Sequence, residues 1–394
     1  FRTLFKVTLP VISPQLLTAF LLLFIIGIEN FDYPFLFGEQ GNIYTLATQV
    51  YNEINLFHNE TLASAYSIIF MIMTFVMISL YLWSIRRAFR FVVVTGKATQ
   101  QTIFRLGKWR WGGLAICLGM MFFAFMLPML MIVLISLVPF YTVGGAAGPF
   151  AVLNLNNYDL MFKLPQFTLS IWNSFEISFV AAITTTLIAM VMAYALVKSK
   201  TRWKRLMEYV AAAPLAFPGI VYSIGLIWTF VSIPFLSSLY GTIYVMLWAM
   251  IIIWLPYSIR FISAALVQIS DELEEAASVT GSGWLRTFPR IVIPLLKTGI
   301  VNSFIYVFAD SFRELGAVVL LSTGNTILMI TYIVNLYEEH SSALPLVCAM
   351  SVLMTLILGG SIIATWGVAG ARGRRRSPQV EEAEAELAAI PAGM

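Results

Sequence analysis

Long apolar runs alternate with short polar segments along most of the chain. Eight of these runs reach about 20 residues, the length that an α-helix needs to cross the hydrocarbon core of a bilayer. Their approximate limits are 11–29, 64–84, 113–139, 172–197, 207–233, 241–266, 294–321 and 345–369. The pattern predicts an all-α integral membrane protein with eight transmembrane helices.

Lysine and arginine divide the polar segments into two groups. One group is rich in these residues and consists of 85–112, 198–206 and 371–376. The other group, 30–63, 234–240 and 322–344, contains neither residue, and segment 140–171 contains only Lys163. The positive-inside rule assigns the basic group to the cytosol. Alternation of the eight spans then predicts that segment 271–290 and the C-terminus are also cytosolic.

Composition agrees with a membrane protein and argues against a soluble one. Of the 394 residues, 59% are hydrophobic and only 11% are charged, whereas soluble domains carry about 25% charged residues. The net charge of +4 comes from residues beside the apolar runs, so it indicates orientation and predicts no nucleic-acid partner. Cys117 and Cys348 lie inside apolar runs, which favours two buried thiols over a disulfide or a metal site.

The polar segment between the sixth and seventh runs reads DELEEAASVTGSGWLRTFPRIVIP. Ser270 or Asp271 can cap a short helix there. Leu273, Ala276 and Ala277 then share one narrow apolar face, because they are spaced at i, i+3 and i+4. Small alanine side chains let another surface approach closely. The segment is therefore predicted to be a small docking helix at the membrane face.

The same segment follows a spaced pattern: Glu-Ala-Ala, three residues, Gly, nine residues, Ile, one residue and Ile-Pro. Its residues are Glu275, Ala276, Ala277, Gly281, Ile291, Ile293 and Pro294. The pattern resembles the EAA loop of ABC importer permeases of type I, with Ile293 where that family usually has leucine. The resemblance implies a cytosolic loop that docks into a groove on a separate ATP-hydrolysing subunit.

A second, partial copy of this pattern stands at the start of the chain. Residues 2–10 read RTLFKVTLP, and residues 286–294 read RTFPRIVIP. Arg2, Thr3 and Pro10 match their counterparts at one constant offset, and a long apolar run follows each copy. The chain is thus predicted to be a tandem repeat. Its first copy is expected to be truncated at the N-terminal side, just after its own EAA segment.

The repeat divides the chain into four predicted parts. Residues 1–84 form the C-terminal remnant of a first permease half, and residues 85–112 form a basic cytosolic linker. A complete second half then covers residues 113–370, and residues 371–394 form a cytosolic tail. Two of the eight predicted spans belong to the first half and six to the second.

Charged residues interrupt the seventh apolar run. Asp310, Arg313 and Glu314 lie in YVFADSFRELGAVVLL, and the corresponding part of the first half contains Glu29 and Asp32. Ionisable groups at membrane depth are costly and usually face a bundle interior or an aqueous cavity. Two interpretations stay open, a self-neutralising structural cluster and a lining of the translocation path. The FREL sequence also resembles the second half of ferric iron permeases.

Few residues in the chain are suited to chemistry. The only histidines, His58 and His340, fall in different outer segments, so no metal site is predicted. The chain contains no GxxxxGK[ST] phosphate loop. We therefore expect it to bind no cofactor itself and to be no enzyme, with ATP used by a partner subunit.

The resemblance implies a function and a set of partners. It implies the permease subunit of a binding-protein-dependent ABC importer in a bacterial inner membrane, working with two copies of an ATPase subunit and a periplasmic solute-binding protein. The fused halves, the basic linker and FREL resemble ferric iron permeases, which implies ferric iron as the solute. Thiamine, phosphonate and polyamine permeases share parts of this pattern. An ion-coupled secondary transporter is the alternative from another class, since repeats, kinked helices and buried carboxylates also occur there.

Overall fold

The computed structural model describes residues 9–38, 41–88, 107, 109–139, 153–199, 202–279 and 283–373. Every regular element in these ranges is helical, and none of the ranges contains a β-strand. The predicted all-α architecture is therefore confirmed. Most of the predicted linker 85–112 and the tail from residue 374 lie outside the described residues.

The described ranges contain helices of very different lengths. They are α1 (Leu9–Glu29), α2 (Leu46–Asn55), α3 (Glu60–Ala88), α4 (Trp109–Met121), α5 (Leu127–Ser136), α6 (Asn156–Phe162), α7 (Pro165–Lys198), α8 (Lys204–Ala212), α9 (Gly219–Ser232), α10 (Ile243–Leu266), α11 (Asp271–Val279), α12 (Trp284–Thr287), α13 (Ile293–Leu295), α14 (Lys297–Arg313), α15 (Met329–Glu339) and α16 (Leu344–Gly373). Shorter π-helical turns lie at Pro34–Gly38, Phe122–Met126 and Phe288–Val292, and 3₁₀ turns lie at Ala213–Ala216, Ser237–Leu239 and Ser341–Ala343.

Most of the predicted spans coincide with long apolar helices. Five helical stretches in the described ranges are long and apolar enough to cross a membrane, and two bent pairs raise this number to as many as seven. The five are Glu60–Tyr81, Trp109–Ser136, Pro165–Lys198, Ile243–Leu266 and Leu344–Ile363. The remaining predicted span, 11–29, coincides with α1, in which the apolar stretch Leu16–Glu29 is shorter than the others. The count of eight therefore stays a prediction.

Prolines divide the predicted span 207–233 into two parts. The helix axis turns by 104° between Leu206–Leu215 and Gly219–Ser232. Pro214 and Pro218 lie in this break, where a missing N–H group and a fixed φ prevent a continuous helix. The first part of the span is thus a separate element that lies nearly perpendicular to the second. A second bent pair, turned by 67°, joins Phe288–Leu295 to α14.

The secondary structure repeats as the sequence does. The short helix α2 followed by the long helix α3 corresponds to α15 followed by α16. In both copies a long apolar helix precedes this pair, α1 in one and α14 in the other. The separations between corresponding helices are close to the offset of the sequence repeat. We call α1–α3 the first unit and α7–α16 the second unit, and their relation as two permease halves stays a prediction.

The centre of the bundle is the packing of α7, α10 and α14. A chain of buried hydroxyl groups joins these helices, because Ser303 Oγ lies 3.0 Å from Thr186 Oγ1 and also bonds Ser258 Oγ. Such hydrogen bonds satisfy polar groups where lipid offers no partner. The first unit packs against this bundle through a cluster that includes Phe31, Phe70 and, from α9, Ile220.

Replacing Gly299 by leucine is expected to destabilise the bundle. A Cβ atom at Gly299 would lie 2.7 Å from Ala265 Cβ and 3.3 Å from the Phe261 carbonyl oxygen, so α14 and α10 would have to separate. Overpacking of this kind costs about 1–3 kcal/mol. The thermal midpoint of the purified protein in detergent should fall. Gly359→Leu is the control, since a Cβ atom at Gly359 meets nothing within 4 Å. Equal midpoints for both variants would contradict the prediction.

Candidate functional site

The predicted docking segment forms a short helix, α11, which lies between the long helices α10 and α14. Ser270 caps it, because the Glu272 backbone N–H lies 3.3 Å from Ser270 Oγ, in the geometry of an N-cap. Glu275 is exposed and Ala277 is buried. Leu273 and Val279 are exposed apolar residues on the same short helix. The helix therefore presents both a carboxylate and apolar side chains at its surface.

The segment that follows α11 is anchored in the bundle. Phe288 and Val292 are buried in a cluster with Ala193 at the end of α7. The ring of Phe288 packs edge-on against Tyr194, with centroids 5.2 Å apart. On the other side of α11, Lys198 Nζ donates a hydrogen bond of 2.9 Å to the Ile269 carbonyl. The segments on both sides of α11 thus contact transmembrane helices, so a displacement of α11 can be transmitted to these helices.

The other residues of the predicted EAA pattern are only partly described. Ile291 is half-buried and Pro294 is exposed. Gly281, like Arg2 and Thr3 of the first copy, lies outside the described residues. Pro10 lies in α1 and Ala276 in α11, but the described part of the structure does not include their side chains. The coupling role of both copies stays a prediction.

A cavity of about 330 Å³ brings together all four residues that were predicted for the translocation path. Glu29 reaches it from the end of α1, and Asp310, Arg313 and Glu314 reach it from the end of α14. Asp32 also lines it, so four carboxyl groups face one guanidinium group. The acidic residues of the two repeats, which are far apart in sequence, therefore meet in one place.

The cavity lies beside the broken helix and next to the middle of α10. Its wall includes Trp254, which is close to the midpoint of α10, and Pro214 and Gly219, which flank the break before α9. Discontinuous helices near the membrane midplane are a recurrent way to build substrate sites in transporters, because the broken backbone is tolerated where it lines a cavity.

Asp310 and Arg313 form the ion pair that their i, i+3 spacing predicts. Arg313 Nε lies 2.8 Å from Asp310 Oδ1, and Arg313 Nη2 contacts the same oxygen. Asp310 is buried, whereas the side chain of Arg313 is 65% exposed. The pair balances the charge of one of the four carboxyl groups, and the other three belong to Glu29, Asp32 and Glu314.

Glu314 belongs to a tight turn that packs against the start of α9. It ends α14, and its Oε1 accepts a hydrogen bond of 3.0 Å from the Ala317 backbone N–H. Ser223 in α9 donates a hydrogen bond to the Ala317 carbonyl. Gly219 packs so closely that a Cβ atom there would lie 3.2 Å from the Ala317 nitrogen and 3.3 Å from Glu314 Oε1. The position of Glu314 therefore depends on the first turns of α9.

Two polar atoms at the cavity have no hydrogen-bond partner in the part of the chain that the structure describes. They are Glu29 Oε1 and Trp254 Nε1, and both are buried. Buried polar atoms are usually satisfied, and leaving one unsatisfied costs about 1–3 kcal/mol. The two residues both line the cavity, so they are candidates to bind whatever enters it.

An aromatic wall was not predicted from the sequence. Trp254, Tyr257 and Tyr306 line the cavity, with ring centroids 5.6–5.9 Å apart. Aromatic residues are common in membrane spans for packing alone, and these three lie on two different helices. No periodicity or spacing in the sequence distinguishes them from core residues.

The carboxylates of the cavity are not arranged as a metal-ligand set. Among the described residues, no three or more His, Cys, Asp or Glu side chains lie close enough to hold a metal ion. His58 and His340 are exposed, and His58 Nδ1 lies 3.1 Å from the Ile54 carbonyl oxygen.

Residues 185–366 match the family described as "Binding-protein-dependent transport system inner membrane component". The resemblance to ABC importer permeases is confirmed. The matched part runs from α7 to α16 and contains the docking segment and most of the cavity wall.

Several curated proteins are similar to the chain. The ferric transport system permease protein FbpB of Actinobacillus pleuropneumoniae is 26% identical over 94% of this chain and 53% of that protein. The putative ferric transport system permease protein FbpB 1 of Haemophilus influenzae is 26% identical over 83% and 50%. A probable sulfate transport system permease protein, cysT, of Helicosporidium is 29% identical over 45% and 68%. The chain thus spans about half the length of the ferric permeases that it matches.

Solved structures share the fold. The crystal structure of a bacterial ABC transporter involved in the import of the acidic polysaccharide alginate matches with a TM-score of 0.55 at 14% identity, covering 68% of this chain and 96% of that chain. A second structure, of the alginate transporter in complex with an alginate pentasaccharide-bound periplasmic protein, matches with a TM-score of 0.54 at 14% identity, covering 65% and 92%. This likeness extends the family match to the three-dimensional arrangement of the helices.

Proposed function

We propose that the chain is the membrane-spanning permease subunit of a binding-protein-dependent importer, which moves a small solute by alternating access. The observation that carries the proposal is the central cavity. Acidic residues from both repeats line it, and a broken helix borders it. A passage between two related units is the arrangement that alternating access requires, because relative movement of the units opens it to one side or the other.

The energy source in this proposal is a separate ATPase. The exposed residues of α11 would dock on that subunit, in two copies per transporter. Both flanks of α11 are fastened to the bundle through Lys198 and Phe288. Movement of the docked subunit would therefore pull on α7, α10 and α14 and change the shape of the cavity. The chain itself would bind no nucleotide, and a periplasmic solute-binding protein would deliver the solute.

Ferric iron is the solute that we propose. Two relatives named for ferric transport cover 94% and 83% of this chain, whereas the sulfate permease of Helicosporidium covers 45%. The composition of the cavity wall also favours a cation, because the wall contains three more carboxyl groups than guanidinium groups. Such a site attracts cations and repels sulfate or phosphonate anions. Thiamine and polyamines are also cationic, so competition experiments must separate them from iron.

The proposal is tested by uptake into membrane vesicles. The complete transporter, with its ATPase and binding protein, should take up ferric iron only when ATP is hydrolysed. Thiamine, a phosphonate and putrescine serve as competitors. ATP-dependent uptake of one of these instead of iron would keep the transporter class and reject iron. Uptake that needs an ion gradient and no ATP would reject the importer proposal and favour a secondary transporter.

Neutralising the cavity carboxylates is expected to reduce uptake of a cation. In the double variant Glu29→Gln, Asp32→Asn the field that attracts the cation is weaker, and we expect initial uptake at low iron concentration to fall about tenfold. ATPase activity of the assembled transporter reports on intact assembly. Glu60→Gln is the control, because Glu60 is an exposed carboxylate outside this cavity. Unchanged iron uptake in the double variant would contradict the assigned path.

A further inference from the structure

The helix α8 has an exposed apolar face next to cationic residues. Trp203, Leu206 and Val210 are spaced at i, i+3 and i+7, and each is more than half exposed. The neighbouring face is buried, since Met207 and Ala211 pack in the cluster at the ends of α7 and α10. Lys204 and Glu208 lie on the remaining, polar side of the helix. The helix thus has a protein face, an apolar face and a polar face.

The orientation of α8 fits the plane of a membrane surface. The stretch Leu206–Leu215 makes an angle of 104° with Gly219–Ser232, which runs in the bundle. Residues packed against α8 include Leu196 and Leu266, at the ends of α7 and α10 that the basic segments assign to the cytosol. If α9 follows the membrane normal, α8 lies nearly parallel to the membrane at its cytosolic side.

The cationic residues near α8 favour anionic lipid as the partner of its apolar face. Arg202 is exposed, and its guanidinium carbon lies 5.4 Å from the centroid of the Trp203 ring. An arginine next to a tryptophan at a membrane surface places the ring in the interfacial region and the cation at the level of the phosphates. Anionic headgroups of the cytosolic leaflet complement this cation and the adjacent Lys204.

We propose that α8 lies in the cytosolic leaflet as an interfacial helix, with Trp203, Leu206 and Val210 in the lipid and with Arg202 and Lys204 binding the phosphates of anionic lipids. The apolar and polar faces are divided as they are in helices that lie on a membrane. The helix follows Lys198, whose ammonium group bonds the carbonyl just before α11. Bound anionic lipid would therefore fix the position of α8 near the contact between the end of α7 and the docking segment. This inference does not depend on the transported solute.

Site-directed spin labelling tests the position of α8. Val210→Cys and Glu208→Cys are labelled in the full chain after Cys117 and Cys348 are replaced by alanine, and the protein is reconstituted in vesicles of phosphatidylcholine and phosphatidylglycerol. Collision with oxygen reports lipid, and collision with a water-soluble nickel chelate reports solvent. We expect the oxygen-to-nickel ratio to be at least about threefold higher at 210 than at 208. Equal solvent access at both sites, or a label at 210 that neither reagent reaches, would overturn the proposal.

A second comparison tests the headgroups. The label at 210 should report a deeper position in vesicles with phosphatidylglycerol than in phosphatidylcholine alone. The variant Arg202→Gln, Lys204→Gln should remove this difference, while site 210 should still have a higher oxygen-to-nickel ratio than site 208. No dependence on phosphatidylglycerol in the unmodified chain would reject the binding of anionic lipid. If the depth at 210 still depends on phosphatidylglycerol in the double variant, cationic residues other than Arg202 and Lys204 bind the lipid.

Discussion

Replacing Glu275 by lysine is expected to abolish ATP-driven uptake while the protein still inserts and folds. Glu275 is exposed on α11, the short helix that is anchored at both ends to the transmembrane bundle. In the proposed complex this carboxylate contacts the ATPase subunit. A charge of the wrong sign inside a docked interface costs several kcal/mol, so we expect uptake to fall at least about 30-fold. Its contribution to the fold of the isolated permease is small, because it is a surface side chain.

The measurement compares uptake with co-purification of the ATPase subunit. Glu275→Lys should lower both, with permease yield and thermal midpoint unchanged. Glu272→Lys provides the matched control, since Glu272 is an exposed carboxylate on the same helix and outside the Glu-Ala-Ala pattern. The coupling role of Glu275 would be refuted by normal uptake in the Glu275→Lys variant. Equal losses in both variants would indicate a general effect of charge on α11 instead.

Features that depend on local chemistry were predictable from the sequence. Carboxylates in an apolar span are costly wherever they lie, so the sequence alone predicts that Asp310 and Glu314 face the bundle interior or a cavity. The i, i+3 spacing of Asp310 and Arg313 predicted their ion pair, which the structure contains. Pro214 and Pro218 explain the break in their span, because proline removes the N–H group and fixes φ.

Features that depend on the meeting of distant segments were not predictable. Trp254 and Tyr306 face the same cavity only because α10 and α14 pack with a particular rotation about their axes. Neither residue differs in sequence from an ordinary core aromatic. The sequence predicted one span over 207–233, although the hydrophobic run contains two helices that lie nearly perpendicular. Hydropathy reports how apolar a segment is, and it does not report the direction of its axis.

Gly219→Val is expected to stop transport by displacing the turn that holds Glu314. A Cβ atom at this position would lie 3.2 Å from the Ala317 backbone nitrogen and 3.3 Å from Glu314 Oε1. Valine adds two further carbons, and the backbone of a turn cannot yield as a flexible side chain does. The hydrogen bond from Ser223 to the Ala317 carbonyl would weaken as α9 and the turn separate. We expect uptake to fall at least about tenfold, as misplacement of about 1 Å in an active site does to enzyme rates.

Gly225→Val is the control for this prediction, because Gly225 lies on the same helix and a Cβ atom there meets nothing within 4 Å. Both variants place a β-branched residue in α9, so they share any cost in helix propensity. Uptake by Gly225→Val should stay within about twofold of the unmodified protein.

Co-purification of the ATPase subunit should be normal in both variants, since α11 is distant in sequence and separately anchored. A similar loss of uptake in both would show that α9 tolerates no added side chain and that the contact with Glu314 is not special. A loss confined to Gly219→Val, with the ATPase still bound, would locate the defect at the cavity and separate it from the docking defect of Glu275→Lys.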